Sequence, residues 1–142
     1  MLPGLWAGLL ICVALIATPS PFATLAQADA ARVVARVLAS EAYASLALGV
    51  VLLVLERLLA RSKADANLGS QFSLGMALTL GALLCTVSGY FALQPVMAAA
   101  RAGQGALSFA QLHAVSAAFY LLKVSLVLAL AWRATGGASQ HG

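Results

Sequence analysis

Four long apolar stretches separated by short polar connections dominate the chain. Each is close to the roughly 20 residues that a helix needs to cross the hydrocarbon core of a bilayer. No stretch alternates apolar and polar residues with a period of two, and four strands could not close a membrane barrel, so helices are predicted rather than strands. The predicted spans are residues 4–25, 40–60, 70–93 and 109–132, in a single transmembrane domain over residues 1–142.

The connections between the stretches carry interface and turn signals. Residues 26–39 contain Asp29, Arg32 and Arg36 together with valines at helical spacing, which predicts a turn of amphipathic helix at the membrane interface. Three later breaks are marked by Asn67-Leu68-Gly69, by Gln94-Pro95, which is expected to close the third helix, and by Gly103-Gln104-Gly105. The pattern predicts an all-α integral membrane four-helix bundle with up-down-up-down order.

Small residues at helical spacing follow one side of the first and third predicted helices. Such stripes allow the backbones of neighbouring membrane helices to approach closely. We therefore expect both stripes to lie at helix–helix contacts. Their members are Gly4, Gly8 and Cys12 on the first helix, and Gly75, Thr79, Ala82, Thr86 and Gly89 on the third.

The composition excludes a soluble domain and a disordered chain. Hydrophobic residues make up 63% of the sequence and charged residues 8%, whereas soluble domains have about 45–50% apolar and about 25% charged residues. The net charge of +4 is typical of basic residues flanking membrane spans, so the lipid bilayer is the expected partner and nucleic acid is not. No nucleotide-binding loop or common hydrolase motif occurs, and we expect neither enzymatic activity nor a cofactor.

The positions of the basic residues predict an orientation in the cell (inner) membrane. Arg57, Arg61, Lys63 and Arg133 fall on one side, and Arg32, Arg36 and Arg101 on the other. Four against three predicts a multi-pass protein with both termini cytoplasmic. As an alternative, Ala26-Gln27-Ala28 resembles a signal-peptide cleavage site that would remove residues 1–28. Against cleavage, the apolar run is longer than a usual signal core and no basic residue precedes it.

Polar side chains inside the predicted spans mark the candidate site, because they are costly in lipid unless they find a partner. Glu41 opens the second predicted helix, Gln94 ends the third and His113 lies one turn into the fourth. These three are expected to converge at one depth in the outer leaflet. His113, Ser116, Tyr120 and Lys123 also share one face of the fourth helix, so this stripe must point into the protein or a wet cavity.

Each of these polar residues has a structural interpretation beside a functional one. His113 either bonds Glu41 or a backbone carbonyl and locks the bundle, or it handles protons or solutes, or it binds metal or haem. Lys123 lies near mid-membrane, where its charge is expected to pair with Glu56, whose depth is within reach of the lysine stem.

Several short motifs are shared with a known family when they are taken together. They are Pro21-Phe22, Glu41, Phe91-Ala92-Leu93-Gln94-Pro95, Arg101 and the stretch from Phe109 to Ser116. In their order and spacing they resemble the domain of unknown function numbered 4149, also called the transmembrane-protein-205-like family, over nearly the whole chain. The resemblance implies four spans, a retained first span and no assigned activity. It also implies that Gln94, Pro95, Arg101, His113 and Ser116 act as a group, whereas Lys123 is not part of the family pattern.

Two function hypotheses follow. In the first, the protein is a non-enzymatic accessory or scaffold protein, in which Glu41, Gln94, Pro95, Arg101, His113 and Ser116 form a polar cluster that fixes the bundle or a contact with a membrane-protein partner. In the second, it is a small transporter or proton-coupled permeation unit, formed as a homo-oligomer, with His113, Tyr120 and Lys123 along its path. Haem or metal binding at His113 is a third, weaker alternative.

Overall fold

The computed structural model describes residues 1–66 and 73–136, and these residues form helices without any strand. The break at Asn67-Leu68-Gly69 and the C-terminal tail lie outside the described residues. The helices are α1 (Leu2–Cys12), α2 (Pro19–Thr24), α3 (Gln27–Asp65), α4 (Leu74–Thr86), α5 (Leu93–Arg101) and α6 (Phe109–Gly136), with π-helical segments at Val13–Ala17 and Val87–Ala92. They group into four apolar helices long enough to cross a membrane, which are Leu2–Thr24, Gln27–Asp65, Leu74–Arg101 and Phe109–Gly136. The all-α prediction is confirmed; the up-down order stays a prediction.

The second span begins thirteen residues earlier than predicted, at Gln27 rather than at residue 40. The separate interfacial turn predicted over residues 26–39 is therefore wrong, because those residues continue directly into α3. Between Gln27 and Asp65 there is no proline and Gly49 is the one glycine, so nothing in the sequence interrupts the helix. At 1.5 Å per residue α3 is about 58 Å long, well beyond the roughly 30 Å of a bilayer core.

The first and third spans each contain a π-helical segment followed by proline. In the first span, Val13–Ala17 precedes Pro19, which occupies the first position of α2. In the third span, Val87–Ala92 precedes Pro95, the third residue of α5. Gln94-Pro95 does not close the third helix, which continues to Arg101. Proline lacks the N–H that a regular helix needs, and the wide π turn before it accommodates the change in hydrogen bonding.

The spans pack around a small apolar core to which all four contribute. Its members come from α1, α3, α4 and α6 and are Trp6, Ala7, Leu10, Leu52, Ala82 and Val127. Gly49 allows a close approach here, because a Cβ at this position would overlap the side chain of Leu83 on α4.

The two stripes of small residues differ in burial. Gly75, Thr79, Ala82, Thr86 and Gly89 are all buried, as predicted for the third span. Thr79 and Thr86 donate to the carbonyls four residues earlier, at 2.9 and 3.0 Å, so their hydroxyls are satisfied within the helix. Gly4, Gly8 and Cys12 are exposed, and a Cβ on either glycine would meet nothing within 4 Å. The predicted contact on the first span is therefore wrong within this chain.

Local sequence signals set the start of α6. Ser108 and Gln111 form reciprocal hydrogen bonds, from Ser108 N–H to Gln111 Oε1 at 3.0 Å and from Gln111 N–H to Ser108 Oγ at 3.2 Å. This capping box begins the helix at Phe109, where the pattern predicts it. The preceding turn uses Gly103 and Gly105 with φ of 74° and 110°, values that favour glycine.

Candidate functional site

A cavity of about 400 Å³ lies among the four spans and is the candidate site. Its polar wall follows α6, where His113, Ser116, Tyr120 and Lys123 all face it, as the stripe predicts. Phe109 to Lys123 is fourteen residues, so the cavity extends about 21 Å along α6. The first and third spans line it at their irregular turns, through Thr18 and Phe22 and through Gly89, Tyr90 and Gln94.

A buried ion pair joins α3 to α6 at the deep end of the cavity. Lys123 Nζ lies 2.8 Å from Glu41 Oε1, and each side chain is 4% exposed. The ammonium also lies 4.8 Å from the centroid of the Tyr120 ring. The predicted Lys123–Glu56 pair is therefore wrong. Glu56 instead accepts a hydrogen bond from Ser73 Oγ at 3.2 Å, beside the start of α4.

The ion pair extends into a hydrogen-bonded chain that reaches the first span. Trp6 Nε1 donates to Ser45 Oγ at 2.9 Å, and the Ser45 hydroxyl donates to Glu41 Oε1. One carboxylate oxygen thus accepts from both Ser45 and Lys123. This series of hydrogen bonds links three spans through buried side chains. Each donor in the series has its acceptor within the protein, as buried polar groups require.

Two other members of the α6 stripe bond backbone carbonyls of the kinked spans. Ser116 Oγ donates to Gly89 O at 2.8 Å, inside the second π-helical segment. Tyr120 Oη donates to Leu10 O at 2.7 Å, just before the first one. In a membrane, a polar side chain must find its hydrogen-bond partner inside the protein, and Ser116 and Tyr120 find theirs at or next to the π-helical segments. These two hydrogen bonds therefore join α6 to the first and third spans at or next to their π-helical segments.

Basic side chains lie at the opposite end of the cavity, which we call the rim. The Arg101 guanidinium lies 4.6 Å from the centroid of the Phe109 ring, and the His113 ring is stacked on the same ring at 5.9 Å. Within the described residues, neither Arg101 nor His113 forms a hydrogen bond or an ion pair. His113 therefore does not lock the bundle through Glu41, one of the alternatives considered for it.

Glu41 and His113 line the same cavity at different depths, which corrects the predicted convergence at one level. The carboxylate bonds Lys123, which lies ten residues and about 15 Å beyond His113 along α6. The cause is the early start of α3, which places Glu41 fourteen residues inside the helix rather than at its beginning. Gln94 is half-buried and lines the cavity, whereas Pro95 is exposed and acts through the shape of the span.

Sequence reasoning missed Ser45 and Trp6. Ser45 lies four residues after Glu41 on one face of a helix, a spacing at which side chains meet, so it could have been found. Trp6 carried no signal, because a tryptophan near the start of an apolar helix is common at membrane interfaces. In the described residues, no three His, Cys, Asp or Glu side chains group as a metal site would require.

Comparisons with known proteins place the chain in one family. No curated protein and no solved structure matches it. A family model matches residues 1–106, which contain the first three spans with Glu41, Gln94, Pro95 and Arg101. The match ends before α6 and its polar stripe. Since it covers most of the 142 residues, the chain belongs to the family described as "Domain of unknown function (DUF4149)", and it is a membrane protein of unassigned activity.

Proposed function

We propose that this protein is a non-enzymatic membrane protein of the transporter class that binds a small ligand in the cavity. The observation that carries the proposal is the position of the Glu41–Lys123 pair, which is buried between α3 and α6 and also lines the cavity. Ionisable residues inside membrane spans usually mark ligand or ion pathways. A volume of about 400 Å³ is also within the range of pockets that hold one small molecule.

The position of the apolar core supports access from one end. Leu52 and Val127 follow Glu41 and Lys123 along α3 and α6, in the direction away from the rim. Both residues belong, with Trp6, to the packed apolar core. A packed core beyond the charges favours a binding site entered from the rim over a continuous pore.

The proposal places the rim at the outer face of the cell membrane. Arg57, Arg61, Lys63 and Arg133 lie near the ends of α3 and α6 that are remote from the rim. Arg32, Arg36 and Arg101 lie at the rim end. Under the positive-inside rule the four-residue side is cytoplasmic, together with both termini.

A bulky substitution in the cavity wall tests whether a ligand binds there. Ala35 on α3 lines the cavity and Ala47 on the same helix is exposed outside it, so Ala47→Phe is the matched control for Ala35→Phe. We expect native mass spectrometry of the full chain, extracted in membrane nanodiscs, to show a bound small molecule in wild type and A47F but not in A35F. A mass shared by all three proteins, or absent from wild type, would contradict the proposal.

A second candidate, an accessory or scaffold protein, is supported by the Trp6–Ser45–Glu41–Lys123 chain. This chain ties three spans together and gives the buried charges a purely structural use. Chemical crosslinking in native membranes distinguishes the candidates. A scaffold is expected to crosslink to the same membrane-protein partner in wild type and A35F, because its partner surface lies outside the cavity.

A further inference from the structure

The charges that face the cavity are arranged unequally along its length. At the deep end, the positive charge of Lys123 is balanced by Glu41 at 2.8 Å. At the rim, Arg101 has no carboxylate partner within the described residues, and the basic side chain of His113 contacts the same aromatic ring. The rim therefore carries an unbalanced positive charge, whereas the deep end is neutral as a pair.

The wall between the two ends is mostly apolar. Val34 and Leu38 of α3 and Met97 of α5 contribute to it, with Phe22 beside the rim. Apolar walls stabilise a ligand in proportion to the apolar area removed from water. A small, fully polar solute would leave most of this wall unused, so the wall is suited to a ligand with an apolar body.

The dimensions of the cavity fit an apolar body that is a single extended chain. The cavity extends about 21 Å along α6. This is close to the depth of one leaflet, which has about 15 Å of hydrocarbon and about 5–7 Å of headgroup region. A volume of about 400 Å³ has room for one extended hydrocarbon chain.

We infer that the ligand is a single-chain amphiphile with an anionic headgroup of the long-chain carboxylate type. The headgroup lies at Arg101 and His113, and the hydrocarbon chain runs along α6 toward Tyr120. A guanidinium binds a carboxylate with two parallel hydrogen bonds, which gives the rim its preference for the anion. This inference rests on the proposed function and adds the chemical class of the ligand.

Competition between two chains that differ only in the headgroup tests the inference. The full-length protein in phosphatidylcholine nanodiscs is labelled with a photoactivatable palmitate analogue, and the labelled residues are mapped by mass spectrometry. We expect labels on the cavity-facing side of α3 and α6, and their loss in A35F. Palmitate should displace the probe at a concentration about tenfold lower than hexadecanol, because only palmitate carries the charge.

A variant that lacks the positive charge of Arg101 is the second part of the experiment. Arg101→Gln should weaken displacement by palmitate about tenfold and leave hexadecanol unchanged. Arg133→Gln is the matched control, since Arg133 is also an exposed arginine in the last turn of a helix but lies outside the cavity. It should bind palmitate as wild type does.

The outcomes separate this inference from the proposed function. Labels in the cavity with equal displacement by palmitate and hexadecanol, or with no effect of R101Q, would overturn the anionic headgroup and leave the cavity as a binding site. An equal loss in R101Q and R133Q would also overturn it, because the effect would then belong to surface charge in general. Labels confined to residues outside the cavity, unaffected by A35F, would overturn both proposals.

Discussion

Lys123 and Glu41 stabilise the fold only as a pair. Both side chains are almost fully buried, and each is the other's only charged partner within the described residues. Burial of two charges costs free energy that their attraction offsets only in part. Loss of one partner leaves an uncompensated charge in a low-dielectric interior, which is far more damaging than loss of both.

A double-mutant cycle measures this dependence. We expect Lys123→Met and Glu41→Gln each to lower the free energy of unfolding by about 3–5 kcal/mol, and the double variant E41Q/K123M to recover most of that loss. The amide introduced by E41Q keeps an acceptor for Ser45, so the test isolates the charge. Thermal or denaturant unfolding in detergent provides the measurement. Additive losses in the double variant would show that the two charges do not interact.

Glu56 serves as the control for this pair. Since its carboxylate bonds Ser73 rather than Lys123, the loss caused by K123M should be the same with and without Glu56→Gln. A strong coupling between positions 56 and 123 would instead restore the pairing expected from the sequence.

Individual residues show which features of the site the sequence predicts and which it does not. The inward direction of Ser116, Tyr120 and Lys123 follows from spacing alone, because a polar stripe on a membrane helix cannot face lipid. The partner of Lys123 does not follow, since it depends on the depth of Glu41 in α3. The sequence predicts the start of the second span at residue 40, thirteen residues too late, and so places Glu41 at the end of the helix. From the sequence, Lys123 is therefore expected to pair with Glu56 instead of Glu41.

Helix irregularities shape the cavity at the scale of elements. The π-helical segment of the third span lines the cavity, and that of the first span ends next to Thr18, which also lines it. From α6, Ser116 and Tyr120 donate hydrogen bonds to carbonyls at or next to these segments. π segments inside α-helices are frequent at functional sites. The π-helical segments and the polar stripe of α6 are therefore packed together, so a substitution in one is expected to disturb the other.

Glycine substitutions test that packing. A Cβ at Gly89 would lie 2.6 Å from Phe119 Cβ, so Gly89→Ala must push α6 away and weaken the Ser116 hydrogen bond. We expect it to lower the free energy of unfolding by about 1–3 kcal/mol. Gly8→Ala is the matched control, because nothing lies within 4 Å of its added Cβ, and it should be neutral or stabilising by up to about 1 kcal/mol. Equal effects of G89A and G8A would contradict the packing of α6 against the π segment.

The elements differ in how far the sequence predicts them. The start of α6 was predictable because a capping box and two glycines mark it locally. Pro95 signalled an irregularity, but proline is compatible with either a helix end or a kink within a membrane span. The hydrogen bond from Ser116 to Gly89 O joins the continued helix to α6, and its donor lies more than twenty residues further along the chain than Pro95.

At the scale of the whole molecule, the four apolar spans and the membrane class follow from composition and length, since both depend on averages over many residues. The cavity does not follow from such averages. It depends on two kinks, a long second span and the stripe of α6 meeting in space. The family match ends at residue 106, so α6 lies outside it. The spacing of the polar stripe predicts that α6 contributes to the site, and the structure adds the partners of that stripe.

Water access along the cavity is the direct test of this arrangement. In a chain with Cys12 and Cys85 replaced by alanine, Ser116→Cys places a thiol on the cavity wall, and Ser125→Cys places one on the exposed side of the same helix. An anionic, membrane-impermeant methanethiosulfonate reagent added to proteoliposomes reacts with thiolates that water reaches. S116C is expected to react at least about tenfold faster than S125C. Equal rates, or no reaction at S116C, would contradict a water-accessible cavity that reaches from the rim toward the Glu41–Lys123 pair.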